Sequence, residues 1–387
     1  MRGGAWKLAR RYLAYHRART AILVVSLALV SFLPIALEFL VGHFTRSLMA
    51  RADTTPLIVG APGSRYDLVL NTLYFQGKVQ DPLAMRHVDK IRAGGLATPV
   101  PILVRYRAGG GYPLIGTTLD YFDFRGLWVA DGTLPLRLGD VVLGARVADE
   151  LDLSAGDSIL SDHEKIYDIS STYPLRMRVT GVLAPTGGID DGAVFADVKT
   201  TWVVEGIVHG HQELGQDSSV LLTTEDDVPT ANASLRHYYE ITDSNIDSFH
   251  FHGDPGSFPI TAILALPADR KSETILKGRL KVDKEMQGLD PPQVLGELFD
   301  VVFRIKAFFD ANFALVLLAT VLFLVLIVWL TLQVRAAEIA MLHKLGCSRG
   351  MIVRIQAAEL MIVVGGGVLL ATATAGVVFV VIVRFFS

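Results

Sequence analysis

The sequence predicts an α-helical membrane protein with a large α/β domain outside the cytoplasm, on three observations. Three long apolar runs stand in an otherwise mixed chain of 387 residues. Ordinary mixed sequence, residues 44–309, lies between the first run and the second. Basic residues gather on one side of the runs, as they do at cytoplasmic membrane flanks. The predicted order is an amphipathic cytoplasmic helix at 1–19, a span at 20–43, the α/β domain at 44–309, a span at 310–334, a cytoplasmic segment at 335–356 and a span at 357–384.

Each span has its own justification. The first contains one charged residue, Glu38, and is long enough to cross ~30 Å of hydrocarbon. It is too long for the apolar core of a signal peptide, so it reads as an uncleaved anchor. The second carries no charge after Asp310, and the third has Glu359 near its start. Arg2, Lys7, Arg10, Arg11, Arg17 and Arg19 precede the first span with no acidic residue among them, which holds that end in the cytoplasm. Arg335, Lys344, Arg349 and Arg354 outnumber Glu338 and Glu359 between the second and third. That segment is cytoplasmic too, and three spans leave 44–309 outside. Trp6, Leu8, Tyr12, Leu13 and Tyr15 lie among the first cations, as in a helix resting on the inner membrane surface or in a plain basic flank.

In the α/β domain, strands are predicted at 66–73, 99–107 and 113–118, with a helix at 82–93, a βαβ-like start. Strands at 140–144 and 158–160 flank a helix at 145–151. Further strands fall at 175–183 and 258–266. A helix at 268–280 leads to a short strand around Val282, and Pro291 opens a helix running past Val302 toward the second span. Residues 120–215, richer in turns and glycine, mark a separate β-rich insert. The lone cysteine, Cys347, rules out an internal disulfide, so the core alone must hold this domain. Net charge is −3 without a basic stripe among aromatics, which argues against nucleic acid.

Several candidate motifs carry no catalysis. Gly77-Lys78 is followed by valine, so no Walker A loop exists and the chain is not an ATPase. Gly346-Cys347-Ser348-Arg349-Gly350 fits G-x-S-x-G, but a nucleophile elbow needs a preceding strand and 338–345 is helix-like. Ser348 instead suits the cap of the next helix. His209-Gly210-His211 and His250-Phe251-His252 would put two histidines on one side of each of two strands, a pattern able to hold zinc or copper. Tighter ligand spacing marks dependable zinc sites, so solvated loop histidines are the leading reading. Glu38 near a span end reaches headgroup water at little cost. Gly367, Ala371 and Ala375, after Gly365 and Gly366, give a four-residue repeat of small residues suited to close helix packing.

The cytoplasmic segment is the most specific. Ile339, Leu342 and Leu345 recur at helical spacing, Gly346 ends that helix and Ser348 begins another. The whole run, Glu338-Ile339-Ala340-Met341-Leu342-His343-Lys344-Leu345-Gly346-Cys347-Ser348-Arg349, resembles the "EIA-x-L-(R/K)-x-L-G-(A/C)-S-(R/K)" run of MacB/FtsX-type ABC transporter permeases. Leu57-Ile58-Val59-Gly60, Val142-Leu143-Gly144 through Ala148, Leu153 through Asp157, and Val179-Thr180-Gly181 are similar to further stretches of the same family. The resemblance implies a non-catalytic permease subunit of the bacterial inner membrane, working by mechanotransmission. Glu338, Ile339, Leu342, Lys344, Leu345, Gly346, Ser348 and Arg349 would dock on a separate ATPase. Two copies of that ATPase would bind the ATP and Mg2+, this chain holding no cofactor, zinc at the histidines aside. A second permease copy or homologue, the bilayer and a periplasmic accessory protein are the other implied partners. Cargo would be a lipid, lipoprotein, peptide or small amphiphile. The alternatives are an FtsX-like regulator of a partner such as a cell-wall hydrolase, a metal-handling component, and a membrane sensor without an ATPase. Members of the family usually have four spans and three are read here, so a fourth is lost, supplied by another polypeptide, or cut from the sequence.

Overall fold

The computed structural model describes residues 3–78, 81–162, 174–210, 221–225, 228–231, 238–251, 253–334, 336–344 and 348–386. The chain divides into two compact units, Met1–Ala50 with Glu297–Ser387, and Arg51–Gly296.

The first unit begins with α1 (Gly3–Tyr15) and α2 (Arg17–Asp53), whose last turn belongs to the second unit. The Thr20 hydroxyl donates to the carbonyls of Leu13 (3.0 Å) and His16 (3.1 Å), tying the joint between the helices. Trp6, Leu8 and Tyr15 are exposed while Ala5 and Ala9, one turn apart, are buried.

The second unit runs β1 (Leu57–Gly60), α3 (Arg65–Tyr74), β2 (Leu83–Ala84), α4 (Arg86–Ala93), β3 (Ala97–Ala108), β4 (Tyr112–Thr117), α5 (Asp120–Arg125), β5 (Val129–Gly132), β6 (Asp140–Leu143), α6 (Ala145–Leu151), β7 (Ser158–Leu160) and β8 (Arg176–Leu183). A 3-10 turn, Ile189–Gly192, precedes β9 (Val194–Asp197), α7 (Val198–Glu205), β10 (Val208–Gly210), β11 (Leu221–Glu225), β12 (Val228–Ala231), β13 (Phe249–Phe251), β14 (Pro259–Ile260), β15 (Ala262–Pro267), α8 (Arg270–Val282) and β16 (Gln287–Leu289).

Among the described residues, ten strands form one mixed sheet in the order β16-β1-β15-β3-β4-β9-β6-β8-β5, with β7 beside β8. The long β3 joins its halves. Ala97–Ile102 pair with β15, and Leu103–Ala108 pair with β4. The β4–β9 and β6–β8 pairs are parallel and the others antiparallel. Helices cover the sheet with apolar faces, Val88 and Ile91 from α4, Trp202 and Val203 from α7, and Leu276 and Leu280 from α8, all buried.

Most predicted strands stand, with four differences. Residues 66–73 are helical. The Ser64 hydroxyl accepts from the Asp67 amide (3.3 Å) and caps α3, whose buried Leu68, Val69, Thr72 and Leu73 follow a helical repeat. The start is therefore not βαβ, and β3 and β4 form an antiparallel pair. The strand at 258–266 breaks at Thr261, whose hydroxyl accepts from the Val104 amide (2.9 Å) as the chain passes from β14, paired with β2, to β15, paired with β3. Val282 ends α8 and is exposed, and the short strand comes later, at β16. The middle portion is no separate lobe, because β4 pairs with β9 and carries β5–β9 into the common sheet.

After β16 the chain enters α9 (Pro291–Val334), α10 (Ala336–Lys344) and α11 (Arg349–Phe386). By length and composition α2, α9 and α11 each suffice to cross a membrane. In the first unit α2 and α11 run side by side in the same direction. Leu27 lies against Gly367, and Phe39 meets Phe379 with ring centroids 6.2 Å apart.

Candidate functional site

The family-like runs of the α/β domain have a local physical purpose. Gly144 caps α6, and a Cβ there would meet the carbonyl oxygens of Asp190 at 2.3 Å and Asp191 at 2.5 Å. Only glycine lets α6 sit this close to the 189–192 turn. Downstream, the Asp157 carboxylate accepts from the Ser154 amide (2.8 Å) and hydroxyl (3.0 Å), around Gly156 at a φ of 107°. Those hydrogen bonds hold the Asp157 carboxyl below its ordinary range. Asp191 closes the turn from the other side, accepting from the amides of Thr186 (2.9 Å) and Gly187 (2.7 Å).

The turn so built presents Asp190 to the last turn of α2. Arg51 grips it with Nη1 to Oδ2 at 2.6 Å and Nη2 to Oδ1 at 2.9 Å, a bidentate pair. Its Nη2 also donates to the Tyr121 hydroxyl (2.8 Å), which donates in turn to Asp190 Oδ1 (2.7 Å). Nε donates to the carbonyl of Leu73 at the end of α3 (2.5 Å). Arg125 closes the group, donating to Thr55 (3.0 Å) from beside the Tyr121 ring. All of this is shielded, Asp190 being 4 % exposed and Tyr121 fully buried. Burial by itself would raise the Asp190 carboxyl, but the charge and hydrogen bonds of Arg51, with Tyr121 and Arg125, hold it below the usual carboxylate range. Burial pushes the Tyr121 hydroxyl far up and, with Arg51 nearby, lowers the Arg125 guanidinium. Two cations, one anion and a neutral phenol thus fasten Arg51–Asp53, the last turn of α2, within the second unit.

The residues singled out in the sequence fall in several places. Glu338, Ile339, Leu342 and Lys344 lie on α10. Leu345 and Gly346 lie outside the described residues. Ser348 caps α11, its hydroxyl accepting from the Met351 amide (3.3 Å), and Arg349 is the first residue of that helix. The elbow motif thus follows a helix, where a nucleophile needs a strand. Gly367, Ala371 and Ala375 are all buried along one face of α11, and a Cβ at Gly367 would meet Leu27 at 2.8 Å. Glu38 is mostly exposed and pairs with Lys306 on α9 (2.8 Å), which also holds Asp310 (2.8 Å). His209 and His250 face each other across β10 and β13, while His211 and His252 lie outside the described residues.

The MacB-like periplasmic core domain family matches residues 21–238. The chain belongs to this family. It is a MacB/FtsX-type ABC transporter permease, a membrane protein with an α/β domain of the periplasmic type. Among solved structures, the periplasmic region of MacB from Actinobacillus actinomycetemcomitans is 13% identical with a TM-score of 0.35, over 62% of this chain and 91% of that one. The extracellular domain of the noncanonic ABC-type transporter YknZ from Gram-positive bacteria is 11% identical with a TM-score of 0.34, over 60% and 98%. No curated protein matches the chain.

Within this MacB-like permease, the matched region contains α2 from Ala21 onward, with Arg51, Tyr121, Arg125, Gly144 and Asp190. It does not reach α10. Sequence reasoning missed the Arg51 cluster. Its one local signal was Arg51 itself, a cation just past the end of an apolar run, where a basic side chain also suits headgroups and the helix C-terminus.

Proposed function

We propose that this permease couples ATP hydrolysis by a separate ATP-binding subunit to conformational work on the outer side of the bacterial inner membrane. Its work is the export, extraction or release of a lipid, lipoprotein, peptide or small amphiphile. In this reading the N-terminus and α10 are cytoplasmic and the α/β domain is periplasmic. Two ATPase copies, which bind the ATP and Mg2+, close against α10 of each of two permease chains.

The observation that carries the reading is that α10, a short helix of nine residues, stands between the two spans, where a loose loop would transmit no displacement. A folded element bearing Ile339 and Leu342 one turn apart can be held and moved as a body. Two features support a lever outward. The helix α9 is continuous from Pro291 to Val334. The helix α2 ends in the buried Arg51 cluster, so its last turn is fastened within the α/β domain.

Two experiments test this. Leu342→Asp is expected to abolish stimulation of a co-purified ATPase by the permease while membrane insertion persists, and undiminished stimulation would refute the docking role. Cys347, the only cysteine, reports orientation. A membrane-impermeant maleimide should label it in inverted vesicles and spare it in intact spheroplasts; the opposite pattern would overturn the topology.

A further inference from the structure

We propose that His209 and His250 form a two-histidine chelate for a divalent transition-metal ion of the zinc and copper class. The strands β10 and β13 pair antiparallel with His209 directly opposite His250. Side chains alternate along a strand, so both imidazoles stand on the face opposite Val208, which is fully buried in the core. Each ring is half-buried, accessible to an ion yet partly fixed.

The geometry suits one shared ion. Two imidazoles each bound at ~2.1 Å to a tetrahedral metal hold their ring centroids about 5 Å apart. Here the centroids are 5.3 Å apart, with the ring planes at 64°. His250 Nδ1 lies 3.0 Å from the carbonyl of Ser248, which can only accept, so Nδ1 donates there and Nε2 is the nitrogen that would face the ion. A backbone carbonyl holding the distal N–H is the usual support behind a metal-binding histidine. That carbonyl is itself positioned, because Ser248 is tied to Asn245 through its amide (3.0 Å) and hydroxyl (2.6 Å). Water completes the coordination of a bidentate site of this kind, and the bound ion cross-links β10 to β13.

The test is Zn2+ binding to the purified full chain in detergent, read by competition with a chromophoric chelator. One Zn2+ per chain is expected, weakened at least about tenfold in His209→Ala and in His250→Ala by loss of half the ligand set. His87→Ala is the control. His87 is tied to the Ala84 carbonyl (2.9 Å) and to Glu285 (3.2 Å) away from the strand pair, and its loss should leave binding unchanged. Unaltered urea melting of each variant separates ligand loss from misfolding. A His209→Ala/His250→Ala chain that binds Zn2+ like the wild type, or a wild type that binds none at millimolar Zn2+, overturns the proposal.

Discussion

Replacing Asp190 by Asn should destabilise the α/β domain more than removing Arg51, and the reason is charge arithmetic in a dry site. Asp190 faces two guanidinium groups, those of Arg51 and Arg125. Asp190→Asn leaves both cations buried without a counter-charge. Truncating one member of a buried pair in this way costs about 3–5 kcal/mol. Arg51→Ala leaves Asp190 beside Arg125 and the Tyr121 hydroxyl, so the loss is smaller, on the order of 2–3 kcal/mol. The triple variant Arg51→Met/Tyr121→Phe/Asp190→Leu removes one cation together with the anion, leaving Arg125 alone without its counter-charge, and should recover part of the loss, since apolar replacement of a buried ion pair is near neutral. The assay is urea unfolding of the full chain in detergent, followed by Trp202, buried against Phe258 with centroids 5.1 Å apart. The other three tryptophans are replaced in the parent.

The same cluster fixes a pH dependence. The folded Asp190 carboxyl lies below its unfolded value of about 3.9. Its contribution is therefore full above that value and is lost as pH falls through the folded pKa. The wild type should lose stability across that acid window more steeply than Arg51→Met/Tyr121→Phe/Asp190→Leu, which no longer has the carboxyl. Equal destabilisation by Asp190→Asn and by the triple variant would refute the reasoning, because it would mean that packing rather than charge compensation holds the site. So would a loss below about 1 kcal/mol in Asp190→Asn, the range of an exposed ion pair.

Three further outcomes follow from contacts elsewhere. Gly144→Ala places a methyl onto the backbone of the 189–192 turn and should cost about 1–3 kcal/mol in the same urea assay. Gly367→Leu should lower the thermal midpoint of the detergent-solubilised chain by forcing α11 from Leu27, whereas Gly365→Leu, whose Cβ position meets no neighbouring element within 4 Å among the described residues, should not. Ser348→Ala removes the hydroxyl that caps α11, at about 1 kcal/mol of helix stability, seen as faster amide hydrogen exchange at Met351 and Ile352.

What the sequence disclosed depended on how far each signal reaches along the chain. The spans were legible because an apolar run of about twenty residues has few alternatives. The strands β3, β4, β6 and β8 were legible because their burial depends on residues within the run itself. Residues 66–73 misled because Leu68, Val69 and Leu73 suit a strand as well as a helix, and the arbiter was one polar residue outside the run, Ser64. The break at Thr261 depended on a hydroxyl meeting an amide 157 residues away. The Arg51 cluster is the extreme case. Arg51 and Asp190 stand 139 residues apart, and neither carries a pattern that names the other. Gly144 was legible as part of a motif, yet its reason, the Asp190 carbonyl at its missing Cβ, lies in the same distant turn. The motif glycine and the buried arginine are thus two halves of one construction. Gly144 lets the turn approach, and the turn delivers the carboxylate that fastens α2.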